Sequence, residues 1–480
     1  MTWGPGGREK ALEQIAADKE VWDILIIGGG ITGAGIFNEA SRLGQKVLLV
    51  EQKDFAWGTS SRSSKMIHGG LRYLLQGDLI LTWHSARERE YLVKKYAGLI
   101  QPLSFLLPVY QGHFPGKRTL LAGLTLYDFL AGHRNHSYWE REKLLQEVPH
   151  LNSDQLLGAA HFVEATTDDA GLVLRILQEG TNDRALPVNY VAVKKLDSDK
   201  MGAVLQEMTT GREFHIQCRL IINATGVFAD RFRQDVMTKP HLRPLRGSHL
   251  TFAQERLPLQ HSVTIFHPDD KRPIFAYPWA GITLVGTTDL DDKGNLSLEP
   301  TITSEEVTYL LKGLHQMFPK LDLQEKDVMS TFAGLRPVVT TGKKKKPSQE
   351  RRDTAIWFED GLLTVTGGKL TTFRLTAHQA LKKARSLLPH LKLRPLEHHA
   401  EPMSMGENDL QSLAKNEAVV HLEDLLLRRT RVGLTESDGG AKLFPHLRAA
   451  LGWNEEKWKI EEQAYSKLWK EHYSLPGRMP

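Results

Sequence analysis

Between an apolar, β-branched run, Trp22 to Ile27, and a stretch of helical apolar spacing, Ile36 to Leu43, the chain sets Gly28-Gly29-Gly30-Ile31-Thr32-Gly33. A second apolar run, Val47 to Val50, ends at Glu51. Strand, tight turn, helix, strand and acid in this order confine the segment to a βαβ unit of the dinucleotide-binding kind. Gly28 makes the turn, Gly30 lets the backbone approach a pyrophosphate, and Gly33 lets helix and strand pack closely. Ile31 and Thr32 open the helix, whose unpaired N–H groups and positive dipole end suit phosphate oxygens. Glu51 is placed to accept from a ribose hydroxyl.

Two further strand-to-turn returns follow far along the chain. Leu220 to Gly226 runs from an apolar strand into small residues that include Ala224 and Gly226, and Leu362 to Thr366 enters Gly367-Gly368-Lys369 just before a helix that starts near Leu370 and Thr371. The nucleotide domain is therefore expected to be assembled from separated pieces. A flavin reaches further from its adenosine end than a nicotinamide does and needs more donors. Thr59, Ser60, Ser61, Ser64 and Lys65 in the run TSSRSSK can supply them. The Gly367-Gly368 turn can aim a helix N-terminus at the pyrimidine edge of the flavin, where negative charge develops on reduction. FAD is the expected cofactor.

The remaining organisation follows from pattern and composition. Residues Arg243 to Leu290 alternate strand-like segments with turns, and the pattern after about Arg394 is helical and polar. The expected fold is α/β: a Rossmann-like FAD-binding domain (21–98, 160–235 and 330–390), an inserted β-rich substrate domain (99–159 and 236–329) and a small α-helical C-terminal cap domain (391–480). At 480 residues, 41% hydrophobic and 25% charged, the chain has the composition of a soluble globular protein. The single cysteine, Cys218, lies in an alternating run and reads as structural; it excludes an internal disulfide and fits a reducing compartment. No metal-ligand cluster stands out among the 20 histidines.

The first residues mix acids with bases and lack an apolar core, which argues for a short helix and against a signal or transit peptide. No run of about eighteen apolar residues occurs, so no transmembrane helix is expected. The net charge of +5 suits an anionic substrate, an anionic membrane or nucleic acid alike, but no basic stripe interleaved with aromatics points to nucleic acid. Leu120 to Leu130, with Lys117 and Arg118 at its edge, reads either as an interfacial membrane helix or as a helix packed in a core. Lys343 to Lys346 read as a solvated loop in preference to a membrane or phosphate contact.

The segments GGGITGAG (Gly28 to Gly35), TSSRSSKMIHGGLRYL (Thr59 to Leu74), INATGVFAD (Ile222 to Asp230), RGSHL (Arg246 to Leu250), VGTTD (Val285 to Asp289), GLRPV (Gly334 to Val338) and GGKLTTFR (Gly367 to Arg374) resemble, in the same order, those of FAD-dependent glycerol-3-phosphate dehydrogenases. Leu422 to Arg431 (LEDLLLRRTR) also looks like that family's helical cap. The resemblance implies oxidation of sn-glycerol 3-phosphate to dihydroxyacetone phosphate by hydride transfer to flavin N5. Electrons would pass to a membrane quinone, from a cytoplasmic protein held peripherally on the inner face of the cell membrane. It further implies that Arg72 with Tyr73, Arg336, Arg352 and Lys369 gather around the phosphorylated substrate, and a homodimer is among the expectations.

An alcohol oxidation also needs a base. His249 in RGSHL and His68 in IHGG are the candidates, since imidazole titrates near physiological pH. His249 is the preferred base and His68 a flavin contact, with Arg336 stabilising the developing alkoxide. The rivals are reoxidation by molecular oxygen, an amine or amino-acid oxidase on the same fold, and a flavin-binding scaffold without catalysis. The cations suited to a phosphate favour the first reading.

Overall fold

The computed structural model describes residues 3–70, 78–132, 134–233, 242–296, 298–340, 354–388, 390–398, 400–402 and 409–477. Two sheets organise them. The first is built around the strand Trp22–Ile27, which pairs in parallel with Val47–Glu51 on one side and with Glu213–Asn223 on the other. Ala185–Asn189 and Leu362–Thr366 extend this parallel array at its two ends, and Ala355–Glu359 closes one edge antiparallel. The three strand-to-turn returns read from the sequence thus lie side by side.

Such strands are covered on both faces, which is why they read as unbroken apolar runs. Helices Ile31–Arg42, Asp169–Gly180 and Phe373–Ala384 bury one face through Ile36, Phe37, Leu174, Leu177, Ala377 and Leu381. The N-terminal helix Gly7–Ala17 and the antiparallel pair Val191–Leu196 and Gly202–Glu207 cover the other. Cys218 is buried in that second layer, in keeping with a structural role.

The second sheet has ten strands and is antiparallel except where Ser262–Phe266 runs parallel to Ile100–Tyr110. Leu242–Ala253 lies within it, flanked by Ile282–Gly286 and Val328–Val339. The strand Leu156–Thr167 crosses the expected border at 160 and Val328–Val339 the border at 330, yet both lie whole in this sheet, because each continues an antiparallel ladder that neither border interrupts. The C-terminal helices do not stand apart. Leu422, Leu425, Leu426, Leu434 and Tyr465 share one core with Tyr277, Trp279 and Phe332 of the second sheet.

Helix Lys117–Ala131, read from its sequence as interfacial or core-packed, is buried on one side only. Leu124 and Tyr127 pack inward, whereas Leu126 and Phe129 face solvent, with Phe114 exposed just before the helix. Among the described residues no helix is long and apolar enough to cross a membrane, and no group of His, Cys, Asp and Glu could hold a metal ion.

Candidate flavin and substrate site

The carboxyl ends of the parallel strands and the turns that leave them enclose a cavity of about 360 Å³. Gly28, Gly30, Ile31, Thr32 and Glu51 line it, together with Ala224 and Gly226 and with Gly367, Gly368, Lys369 and Leu370. The glycine turn is shaped by close approach. A Cβ on Gly33 would lie 1.9 Å from the Gly28 carbonyl oxygen, and Gly28 itself has φ +112, with a built Cβ 2.6 Å from the Ala224 oxygen. Only hydrogen fits at these positions.

Gly30 has no side chain to cap the helix, whose positive N-terminal end, with Ser60 Oγ on the Ile31 N–H, faces the cavity and suits a ligand of negative charge. Glu51 accepts from the backbone N–H of Gly29 at 2.8 Å and of Lys53 at 3.0 Å, and burial raises its pKa despite those two bonds. A carboxylate so placed gains from a further donor such as a ribose hydroxyl. A cavity at the carboxyl ends of the parallel strands, a glycine cradle and a helix N-terminus on its wall together fit FAD.

The hydroxyl-rich run divides between the cavity wall and partners inside the protein. Thr59 and Ser60 line the cavity, but Ser60 Oγ also accepts from the Ile31 N–H at 2.9 Å and Thr59 Oγ1 donates to the Leu335 carbonyl at 2.5 Å. Ser61, Ser64 and Lys65 do not line it. Lys65 is fully buried, with Nζ donating to the Ser61 carbonyl and to Asp169, each at 2.9 Å; burial and the Arg431 charge lower its pKa to about 8. Gly33, His68 and Thr371 also stand off the cavity wall. The His68 N–H donates to Thr371 Oγ1 at 3.3 Å, which ties two expected flavin segments to each other.

The wall includes residues that the sequence reading missed. Trp57, Ser63, Val191, Val193, Phe228 and Arg231 belong to it. Val191 and Val193 come from a strand with no nucleotide motif, so nothing in their neighbourhood signals a ligand. Arg231 was legible in principle, because it follows INATGVFAD directly; its guanidinium lies 4.7 Å from the Phe228 ring centroid.

Next to the hydroxyl-rich run, the second sheet brings His249 and Arg336 together. The backbones of Leu245 and Arg336 are cross-strand partners, and Gly247 and His249 continue the same face of the strand. The Arg336 guanidinium lies over Gly247: a Cβ there would be 2.4 Å from Nη2. It donates to Asp289 Oδ1 at 2.9 Å, the Thr288 carbonyl at 3.3 Å and Thr287 Oγ1 at 3.1 Å. His249 is likewise given room by Gly286, where a Cβ would fall 2.2 Å from Cδ2. Its ring stacks on Phe332 at 4.5 Å, and its Nε2 is 3.0 Å from Ser64 Oγ. Burial, then the charges of Arg336 and Lys65, hold its pKa well below 6.5.

Arg72, Tyr73 and Arg352, expected at the substrate, lie outside the described residues, as do Lys343 to Lys346. Lys369 is on the cavity wall.

Residues 23–378 match the family model of FAD dependent oxidoreductases. The aerobic glycerol-3-phosphate dehydrogenase of Bacillus subtilis is 39% identical over 379 residues, which are 77% of this chain and 68% of that protein. Its counterpart in Staphylococcus haemolyticus is 38% identical over 386 residues, 78% and 68% of the two chains. Among solved structures, the glycerol-3-phosphate dehydrogenase of Bacillus halodurans complexed with FAD superposes with a TM-score of 0.78 at 24% identity, covering 98% of each chain. L-alpha-glycerophosphate oxidase from Mycoplasma pneumoniae with FAD bound follows at 0.59 and 20%, covering 80% of this chain and all of that one. The fold is thus that of FAD-dependent oxidoreductases. FAD is its cofactor, and the chain belongs to the family of FAD-dependent glycerol-3-phosphate dehydrogenases.

Proposed function

We propose that the chain oxidises sn-glycerol 3-phosphate to dihydroxyacetone phosphate and passes the electrons to a membrane quinone. The observation that supports it most is the pairing of Arg336 with a neutral, buried His249 beside the FAD cavity, each in a space cleared by a glycine. Bound FAD supplies the acceptor for the hydride, at N5. The protein's part is to hold the substrate and to manage its proton and charge.

A neutral imidazole keeps one ring nitrogen as a proton acceptor, and the Ser64 hydroxyl and the stacked Phe332 ring fix the plane of His249. Arg336, held in place by Asp289, Thr288 and Thr287, presents charge where the substrate oxygen becomes anionic. Lys369, with Arg72, Tyr73 and Arg352, is assigned to the phosphate, which needs fixed donors once removed from water.

The test is the visible spectrum of the purified holoprotein under anaerobic conditions. Glycerol 3-phosphate is expected to bleach the flavin band, and glycerol or an amino acid to leave it. A band unchanged by glycerol 3-phosphate overturns the assignment. Oxygen uptake on substrate addition then decides the acceptor, since rapid uptake would replace the quinone by molecular oxygen.

Support for a membrane partner comes from the surface. Helices Leu79–Lys95 and Lys117–Ala131 pack together and expose Ile80, Trp83, Leu126 and Phe129, with Phe114, Lys117 and Arg118 alongside. Apolar side chains bordered by cations suit an anionic bilayer surface. Changing Phe114 and Phe129 together to serine is expected to weaken partition into anionic vesicles about tenfold or more, as the loss of two large apolar side chains implies. Unchanged vesicle binding would remove this surface from the proposal.

A further inference from the structure

The loop of residues 52–65 faces the flavin cavity with Gln52, Trp57, Thr59, Ser60 and Ser63. Its opposite side is fastened to the C-terminal segment at three places. First, Asp54, which is fully buried, accepts from Arg428 Nε at 2.5 Å and from Arg429 Nη2 at 2.9 Å. Second, buried Asp169 takes Arg431 together with Lys65, the Ser63 N–H at 3.0 Å and Ser63 Oγ at 2.7 Å. Third, Arg62 Nη2 donates to Glu299 at 2.5 Å and to Tyr473 Oη at 3.1 Å.

The arginines are not needed to dock the C-terminal helices. Leu422, Leu425, Leu426 and Leu427, their immediate neighbours in sequence, already bury against the second sheet. A buried ion pair is moreover a poor source of stability, because desolvation offsets most of its attraction; apolar side chains of like volume would serve as well. What forked, charge-assisted hydrogen bonds give, and apolar packing does not, is a fixed direction. Here the fixed objects are the two acids that tie down the flavin-facing loop.

We propose that Arg428, Arg429 and Arg431 are positioning residues for the flavin. Acting through Asp54 and Asp169, they set the loop 52–65 against the cofactor, so that the C-terminal segment is a working part of the FAD site. The proposal concerns the cofactor alone and stands whatever substrate the enzyme oxidises.

The experiment compares Arg428→Gln and Arg431→Gln with Arg175→Gln, using the full-length protein. Arg175 pairs with Glu417 and so also links the C-terminal segment to helix Asp169–Gly180, but it has no bond to the loop or to its two acids. FAD affinity is read from the fluorescence of released cofactor, the flavin environment from the visible band and the midpoint potential, and the fold from the melting of the apoprotein. The Arg428 and Arg431 variants are expected to weaken FAD binding about tenfold or more and to shift band and potential. Arg175→Gln should lower the melting temperature and leave FAD affinity within about twofold. Unchanged FAD affinity in folded Arg428 and Arg431 variants overturns the proposal, and so does an equal loss in Arg175→Gln. Should Arg431→Gln fail to fold, Arg431→Lys takes its place: it keeps the charge and loses the fork, and an unaltered affinity and band in that variant would also refute the idea.

Discussion

Replacing Arg336 by methionine is expected to lower kcat/KM for glycerol 3-phosphate by about 10²- to 10³-fold, the range seen when one preorganised donor to a developing oxyanion is lost. FAD should stay bound, because Arg336 sits on the second sheet and is not part of the cavity wall formed by the glycine turns. Folding should survive too. Asp289, whose buried carboxylate Arg336 engages, keeps Arg272 at 3.4 Å as a second cation. Arg336→Lys should fall between, since an ammonium keeps the charge and cannot span Thr287, Thr288 and Asp289 at once. Steady-state kinetics with the flavin content measured in the same sample decide the matter. A loss smaller than about tenfold in kcat/KM would show that the guanidinium does not stabilise the transition state.

The second large effect is at Gly33. Gly33→Val is expected to yield protein without flavin. The first carbon of any side chain at 33 would be 1.9 Å from the Gly28 carbonyl oxygen, a backbone atom that no rotamer change can move. The helix Ile31–Arg42 would have to move off the strand Trp22–Ile27, and with it the N-terminus that meets the pyrophosphate. The ratio of visible flavin absorbance to protein absorbance measures the outcome. A variant that retains full FAD would mean that the turn can relax without losing its ligand. Far-ultraviolet circular dichroism separates loss of cofactor from loss of fold.

These two positions illustrate what a sequence discloses. Gly28 and Gly33 were legible because contact with another backbone leaves a residue type no alternative, and the order of strand and helix around them is short-range. The parallel strands were legible for a related reason: burial on both faces writes an unbroken apolar run. In the hydroxyl-rich run the sequence did not disclose the protein partners. Ser61, Ser64 and Lys65 resemble a row of ligand donors, yet Lys65 is neutralised by Asp169 and Ser64 meets His249. Both partners are more than a hundred residues away, and no local pattern announces them.

The same holds for Asp54 with Arg428 and Arg429, and for Val191 and Val193 on the cavity wall. The layout of the sheets was half visible. Alternation marks a strand without saying which ladder it joins, so Leu156–Thr167 and Val328–Val339 were divided by borders that the ladders do not respect.

The order of strands in the first sheet has a consequence for how the protein is made. The glycine turn is synthesised more than three hundred residues before Gly367 to Leu370, which line the same cavity. Their strand, Leu362–Thr366, pairs with Glu213–Asn223, which pairs in turn with Trp22–Ile27. A nascent chain can therefore assemble part of this sheet around a half-built cradle, and cofactor loading waits until Leu362–Thr366 and the turn after it have been made.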